Sequence, residues 1–200
     1  MSKSVTLTGL TVKSALALGS SSLLHLENHR LDTELILGHV LKLSRTGLYI
    51  NMEKKLEPRE QNLFEKLIEK RRIGTPNAYL TGFASFWSKD FRVSEEVLIP
   101  RPETELLVEK TLDIIKKSND CIIADLGTGS GAIAGAIGSE FPDISIIATD
   151  NSLAALWVAK NNFERLAIKN ISCVVWDWNN ALGESCISVI VSNPPYVSRE

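Results

Sequence analysis

The stretch Cys121-Ile122-Ile123-Ala124-Asp125-Leu126-Gly127-Thr128-Gly129-Ser130-Gly131-Ala132-Ile133-Ala134 decides the fold. A short apolar run passes through a glycine-rich turn into small helix-forming residues, the strand, loop and helix start of a nucleotide-binding α/β unit. Alternating glycines let the backbone turn tightly and approach a ligand with no Cβ in the way, and the first NH groups of the following helix face an anionic group. A second apolar run, Ile144 to Thr149, ends in Asp150, a carboxylate at a strand tip where it is placed to accept hydrogen bonds from ribose hydroxyls. These features alone leave three readings open. Gly127 to Ala132 satisfies the loose dinucleotide pattern of nicotinamide and flavin proteins, it equally suits S-adenosylmethionine, and it also reads as a purely structural turn.

Asn193-Pro194-Pro195-Tyr196 shifts the balance. It directly follows the apolar run Ile187 to Ser192, so a buried strand delivers a stiff polar turn to a sheet edge. Proline fixes φ, removes a donor and holds the residue before it extended, which leaves carbonyl oxygens on show and few NH groups. The Asn193 side-chain oxygen and the Pro194 carbonyl are then placed to accept both hydrogens of a planar NH2 group, with the Tyr196 ring against its plane. In isolation the tetrapeptide reads equally as a proline-rich loop capping a strand. On a fourth strand beside the glycine-rich unit it reads as an amide clamp, for which a dinucleotide enzyme has no use.

The chain has 200 residues, 44% hydrophobic and 23% charged, with net charge −2, enough for one large domain or two small ones. Apolar residues recur at helical spacing over Leu31 to Leu43 and Pro58 to Ile73, with Gly74 as a stop. Phe83 to Ile99 alternates aromatic and polar residues around Ser88-Lys89-Asp90, a hairpin pattern, and Pro102 opens a helix through about Lys117. From Cys121 the order is strand, helix, strand, helix, strand, strand. The expected organisation is a helical domain over 1–76, a linking hairpin over 77–100 and an α/β domain over 101–200.

No apolar run is long enough to span a bilayer, and Met1 to Val5 lacks a secretory signal core, so a cytoplasmic protein is expected. The mildly acidic balance carries no basic stripe for nucleic acid. Cys121, Cys173 and Cys186 have no Cys-x-x-Cys spacing and read as reduced core thiols. His25, His29 and His39 lack a third-ligand pattern and read as structural or surface residues, so no metal is expected. Trp157 reads as core or helix packing, and Glu69 to Arg72 as a solvated helix end.

Together the motifs resemble the class I S-adenosylmethionine-dependent methyltransferases. Ala78 to Gly82, Phe86-Trp87, Phe91 to Val93 and Leu98 to Glu105 narrow the resemblance to the HemK-type glutamine N5-methyltransferases, over Leu31 to Glu200. It implies a Rossmann-like methyltransferase fold, incomplete here with about four strands, preceded by a small helical bundle that recognises substrate. It further implies methyl transfer from S-adenosylmethionine to the glutamine of the Gly-Gly-Gln loop in peptide chain release factors. Gly127, Thr128, Gly129, Ser130 and Gly131 would pass under the methionine part of the cofactor, Asp150 would take the ribose, and Asp177 and Trp178 would border the adenine. Asn193 would sit near the methyl and the substrate amide, with Pro194, Pro195 and Tyr196 completing the clamp. Trp176 departs from the small residue that often precedes the Asp-Trp pair in that family.

The same resemblance sets the expectation that the chain is truncated, with weak or absent catalysis and an uncovered sheet edge beyond its fourth strand. Adenine N6-methylation of nucleic acid and a non-catalytic fragment that only binds cofactor or release factor are the alternative readings.

Overall fold

Among the described residues, those up to Thr81 pack around a helical core of their own, and those from Gly82 onward form an α/β unit. The computed structural model describes residues 9–116, 121–177 and 186–194.

The first unit contains α1 (Val12–Ser22), α2 (His29–Leu41), α3 (Arg45–Ile50), α4 (Pro58–Arg72) and α5 (Asn77–Thr81). Thr11 and Ser14 cap the start of α1 reciprocally. Helix α4 starts at Pro58 with the Glu57 NH donating to Glu60 Oε2 at 2.8 Å, and ends with Lys70, Arg71 and Arg72 complementing its dipole. Val12, Leu23, Ile36, Leu37, Leu48 and Phe64 are fully buried between the helices. Gly19 allows the close approach of α1, since a Cβ there would lie 2.6 Å from Thr33 Cγ2 and 2.9 Å from the Phe64 ring. Buried Asp32 accepts from Arg71 Nε at 2.8 Å and from Asn77 Nδ2 at 2.6 Å, so one carboxylate joins α2, α4 and α5. Arg71 is therefore turned inward, which corrects the view of Glu69 to Arg72 as wholly solvated. His25 Nε2 lies 3.1 Å from the Arg72 carbonyl and His29 Nδ1 2.8 Å from Ser20 Oγ.

The second unit opens with the antiparallel pair β1 (Phe83–Phe86) and β2 (Lys89–Arg92). Their two-residue turn places Trp87 at φ 50° and Ser88 at φ 55°, the left-handed pair that a tight hairpin demands. The segment 77–81, expected in a linking hairpin, is α5, while Phe86 and Phe91 of the hairpin are buried in the α/β core and meet edge to face at 6.3 Å. A 3₁₀ turn over Pro102–Thr104 leads into α6 (Glu105–Ile115). There follow β3 (Ile122–Leu126), α7 (Ala132–Glu140), β4 (Ser145–Asp150), α8 (Leu153–Arg165), β5 (Ile171–Val175) and β6 (Val189–Ser192). The last four strands form one parallel sheet in the order β5-β4-β3-β6. Its chain path runs outward from β3 through β5 and returns to the other side of β3, so the crevice at a topological switch point lies at the carboxyl ends of β3 and β6.

Helix α8 buries Leu156, Ala159 and Phe163, a stripe that leaves Trp157 on the outer face. Trp157 is 58% exposed with Lys160 Nζ over its ring at 5.7 Å, contrary to the expected core position. Cys121 is buried and Cys173 half-buried, whereas Cys186, just outside the β6 run, is exposed and is not a core thiol.

Asn162 of α8 is fully buried and binds three backbone groups. Its Oδ1 accepts from the Arg92 NH at 2.7 Å, and its Nδ2 donates to the Arg92 and Ser130 carbonyls, each at 2.9 Å. Replacing it strands three polar groups away from water, so Asn162→Ala is expected to cost about 2–4 kcal/mol in urea unfolding. Asn162→Asp keeps the acceptor for Arg92 but loses both donors, and should be no better. A midpoint for Asn162→Ala indistinguishable from the parent's would refute this bracing role.

Candidate active site

The turn after β3 holds Gly127, Gly129 and Gly131 at φ 72°, 54° and 79°, all left-handed. Two of them differ in what they permit. A Cβ on Gly131 would sit 2.6 Å from the Phe163 ring, so the backbone there is pressed against α8. A Cβ on Gly129 would meet nothing within 4 Å, so that part of the loop fronts open space.

The loop is tied down from below. The Thr128 NH donates to the Thr149 carbonyl and the Gly131 NH to the Thr128 carbonyl, both at 2.8 Å. Thr128 and Ser130 are buried; the Thr128 hydroxyl donates to Asp125 Oδ2 at 2.7 Å, and the Ser130 carbonyl is held by Asn162. Asp125 Oδ2 also accepts the Ala134 NH at 3.2 Å, which clamps the first turn of α7 to the tip of β3. Asp125 Oδ1 is buried with no hydrogen-bond partner among the described residues. Burial pushes the Asp125 carboxyl up to about 6, against the lowering by the Thr128 and Ala134 hydrogen bonds and with a further rise from Asp150.

Asp150 ends β4 as expected. Its Oδ2 accepts from the Gly129 NH and its Oδ1 from the Ser152 NH, each at 3.0 Å, so it fixes the open part of the glycine loop. Each oxygen keeps acceptor capacity for a ligand hydroxyl. The Trp176 NH donates to the Asp150 carbonyl at 3.0 Å, which brings Trp176 and the exposed Asp177 alongside. Trp178, Pro195 and Tyr196 lie outside the described residues.

Asn193 follows Ser192, which pairs with Leu126 on β3 and whose hydroxyl donates to the Leu126 carbonyl at 2.8 Å. Gly127 and Asn193 thus leave neighbouring strands, about 5 Å apart in a sheet, at the same end. The Asn193 Nδ2 donates to Thr104 Oγ1 at 3.0 Å. The fold therefore gathers the glycine loop, Asp150, Asn193 and Pro194 at one crevice, and adds two residues given no role from sequence. Thr104 and Asn162 act through tertiary contacts that no local pattern announces. A separate depression of about 480 Å3 near Gly138, Pro142, Ala167 and Asn170 sits before β4 and β5, at the other ends of the strands. Among the described residues no group of three or more His, Cys, Asp or Glu side chains is arranged to hold a metal ion.

Two families match the chain: the one described as PrmC N-terminal domain over residues 14–82, and the one described as methyltransferase small domain over 102–200. Curated relatives named release factor glutamine methyltransferase are similar over most of it. The one from Coxiella burnetii (strain RSA 493 / Nine Mile phase I) is 46% identical, covering 84% of this chain and 61% of the relative. The one from Escherichia coli (strain K12) is 44% identical, covering 87% and 62%. That from Buchnera aphidicola subsp. Acyrthosiphon pisum (strain APS) is 38% identical, covering 96% and 68%. The chain thus spans less than two thirds, 61% and 62%, of the length of the first two of these relatives.

The buried carboxylate under the loop has a measurable signature. Its native value of about 6 lies above the ordinary 3.8, so the folded state binds more protons between those values. The contribution of Asp125 to stability therefore falls as pH rises through that window and stays lost above it, by on the order of 3 kcal/mol. In Asp125→Asn this slope is removed while an oxygen remains to accept from Ala134. Thermal unfolding between pH 4 and 7 should show the parent losing stability relative to that variant; parallel curves would exclude the assignment.

Proposed function

The chain belongs to the release factor glutamine methyltransferase family, and from that membership we propose that it methylates N5 of the glutamine in the Gly-Gly-Gln loop of peptide chain release factors. The observation that carries this reading is the meeting of Asn193 with the glycine loop at the β3–β6 crevice. S-adenosylmethionine would supply a methyl group on a sulfonium centre. The residues present fit such a cationic ligand. The strand tips offer carboxylates, Asp125 has a buried oxygen with no partner among the described residues, and the loop fronts open space at Gly129. In this reading Gly127 to Gly131 support the methionine part through backbone, Asp150 accepts from the ribose, and Asp177 with Trp178 borders the adenine.

The clamp answers a specific chemical difficulty. A carboxamide nitrogen shares its lone pair with the carbonyl and is a poor nucleophile, so alignment must supply much of the rate. Asn193 Oδ1 and the Pro194 carbonyl accept the two amide hydrogens and favour positive charge building on nitrogen, while Pro195 and Tyr196 restrict the plane of the amide. Positioning of this kind is worth up to roughly 7–11 kcal/mol. Transfer would form a nitrogen–carbon bond as the carbon–sulfur bond breaks, the sulfur leaving as a neutral thioether and the amide then losing a proton to solvent, so no strong base would be required. The helical first unit is read as the part that recognises the release factor. The reaction would take place in the cytoplasm, without direct contact to nucleic acid or membrane; no helix among the described residues is long and apolar enough to cross a bilayer.

The test offers labelled S-adenosylmethionine with a release factor, its Gly-Gly-Gln to Gly-Gly-Ala variant, and DNA. It uses this chain and a version extended to the full length of its relatives. Label is expected in the release factor only, and to vanish with the glutamine. Asn193→Ala should lower the rate constant by about 10²–10³. Label in DNA, or in the Gly-Gly-Ala variant, would overturn the reading.

A further inference from the structure

Strand β6 is four residues long and, among the described residues, lies at the edge of the sheet with β3 as its single strand neighbour. A short edge strand opens most readily at its ends. The clamp hangs from such an end. Asn193 follows Ser192, the last residue of β6 to pair with β3, and the partner of Ser192 is Leu126, after which Gly127 turns at φ 72° into the glycine loop. Methyl transfer between loop and clamp requires one fixed separation at the very place where a four-residue ladder is weakest.

We propose that Ser192 is the positioning residue that keeps this separation, its hydroxyl tying the strand that carries the clamp to the carbonyl from which the glycine loop departs; this rests on the function proposed above. Ser192 Oγ donates to the Leu126 carbonyl oxygen at 2.8 Å. The direction of the bond is settled by chemistry, because a carbonyl oxygen only accepts. It joins the residue before Asn193 to the residue before Gly127. On the other flank of β3 the loop is referenced to β4, where the Thr128 NH donates to the Thr149 carbonyl and the Gly129 NH to Asp150 Oδ2. Those bonds locate the loop against the strand that ends in Asp150, and Ser192 locates it against the strand that ends in the clamp.

The far end of the same ladder supplies an internal comparison. Ser188 stands beside Ile122 there, its NH donating to the Ile122 carbonyl at 2.8 Å and its Oγ accepting the Ile122 NH at 3.3 Å. A serine hydroxyl therefore pins β6 to β3 at each end, with Val191 buried in the α/β core between them. Both serines steady the strand, but Ser188 lies four residues, about 13 Å of extended chain, before Ser192 and away from the site. Loss of strand stability and loss of alignment can thus be separated by comparing the two.

Three variants and two readouts decide the matter. Ser192→Ala removes the donor, Ser192→Thr keeps a hydroxyl, and Ser188→Ala removes the corresponding bond at the remote end. In the chain itself, NMR hydrogen exchange of the Ser192 and Asn193 backbone amides should be about 3- to 10-fold faster in Ser192→Ala and return towards the parent in Ser192→Thr. In release-factor methylation by the extended form, Ser192→Ala should lower kcat by about tenfold with S-adenosylmethionine affinity unchanged. Ser192→Thr should recover most of that rate, and Ser188→Ala should keep the parent's kcat. Unchanged exchange in Ser192→Ala removes the tie and the proposal with it. Faster exchange with kcat intact overturns the positioning role, as does an equal loss of kcat in Ser188→Ala, which would reduce both hydroxyls to strand stability. A parent without any transfer in the extended form sinks the proposed function and the role of Ser192 within it, whereas the exchange comparison still decides the tie.

Discussion

One buried amide constrains most of the second unit. Asn162 reads the backbone of Arg92 as a neighbouring strand would, giving and accepting one bond, and uses its remaining donor on the Ser130 carbonyl. The hairpin and the glycine loop are far apart in sequence and share no strand pairing, yet both are referenced to one side chain on α8. The hairpin is further held on the same helix by Arg165, whose guanidinium donates to the Asp90 carbonyl and lies 5.4 Å from the Phe83 ring centre. Phe91 then packs so close to α7 that Gly135 has room for no Cβ, which would fall 2.8 Å from the ring. Loop position thus follows from packing behind it, and the open side is left for a ligand.

The carboxylates at the strand tips divide the same task. Asp125 faces inward and fixes the loop to the start of α7, while Asp150 holds the Gly129 NH from the next strand. A loop with left-handed backbone at three positions has little local reason to stay put, because its conformation is open to many alternatives in the unfolded chain. Two acceptors on neighbouring strands select one conformer. Burying one of those acceptors with an oxygen unpaired among the described residues disfavours its charged form, which accords with the raised Asp125 carboxyl.

What was legible in the sequence is what local rules encode. The β3–α7 glycine turn, Asp150 at the end of β4 and Asn193 after β6 announce themselves by apolar runs ending in polar or glycine punctuation. Helices α2 and α4 show spacing marked by large apolar residues, whereas the buried stripe of α1 is made of Val12, Ala15 and Gly19, mostly small residues amid serines, and α5 is a single short turn. The hairpin expected within 77–100 forms over Phe83–Arg92, while Asn77–Thr81 is helical, because alternation marks a hairpin without saying where the helices before it end or which core receives Phe86 and Phe91. Trp157 illustrates the converse limit, since helical periodicity places a residue on a face only once the buried stripe is known.

Thr104, Asn162 and the inward turn of Arg71 were illegible for a common reason. Each is a polar side chain whose partner is a backbone or side-chain group brought near only by the folded chain, and polar residues at helix starts, helix faces and helix ends are ordinary in themselves. A threonine at residue 104 is as unremarkable in sequence as those at 33, 81 and 111; only the contact with an asparagine beyond a distant strand sets it apart. Motifs reveal the groups that touch a ligand, because ligand chemistry restricts their type. Groups that orient those residues answer to geometry instead, and a hydroxyl serves at many places where a chain happens to pass.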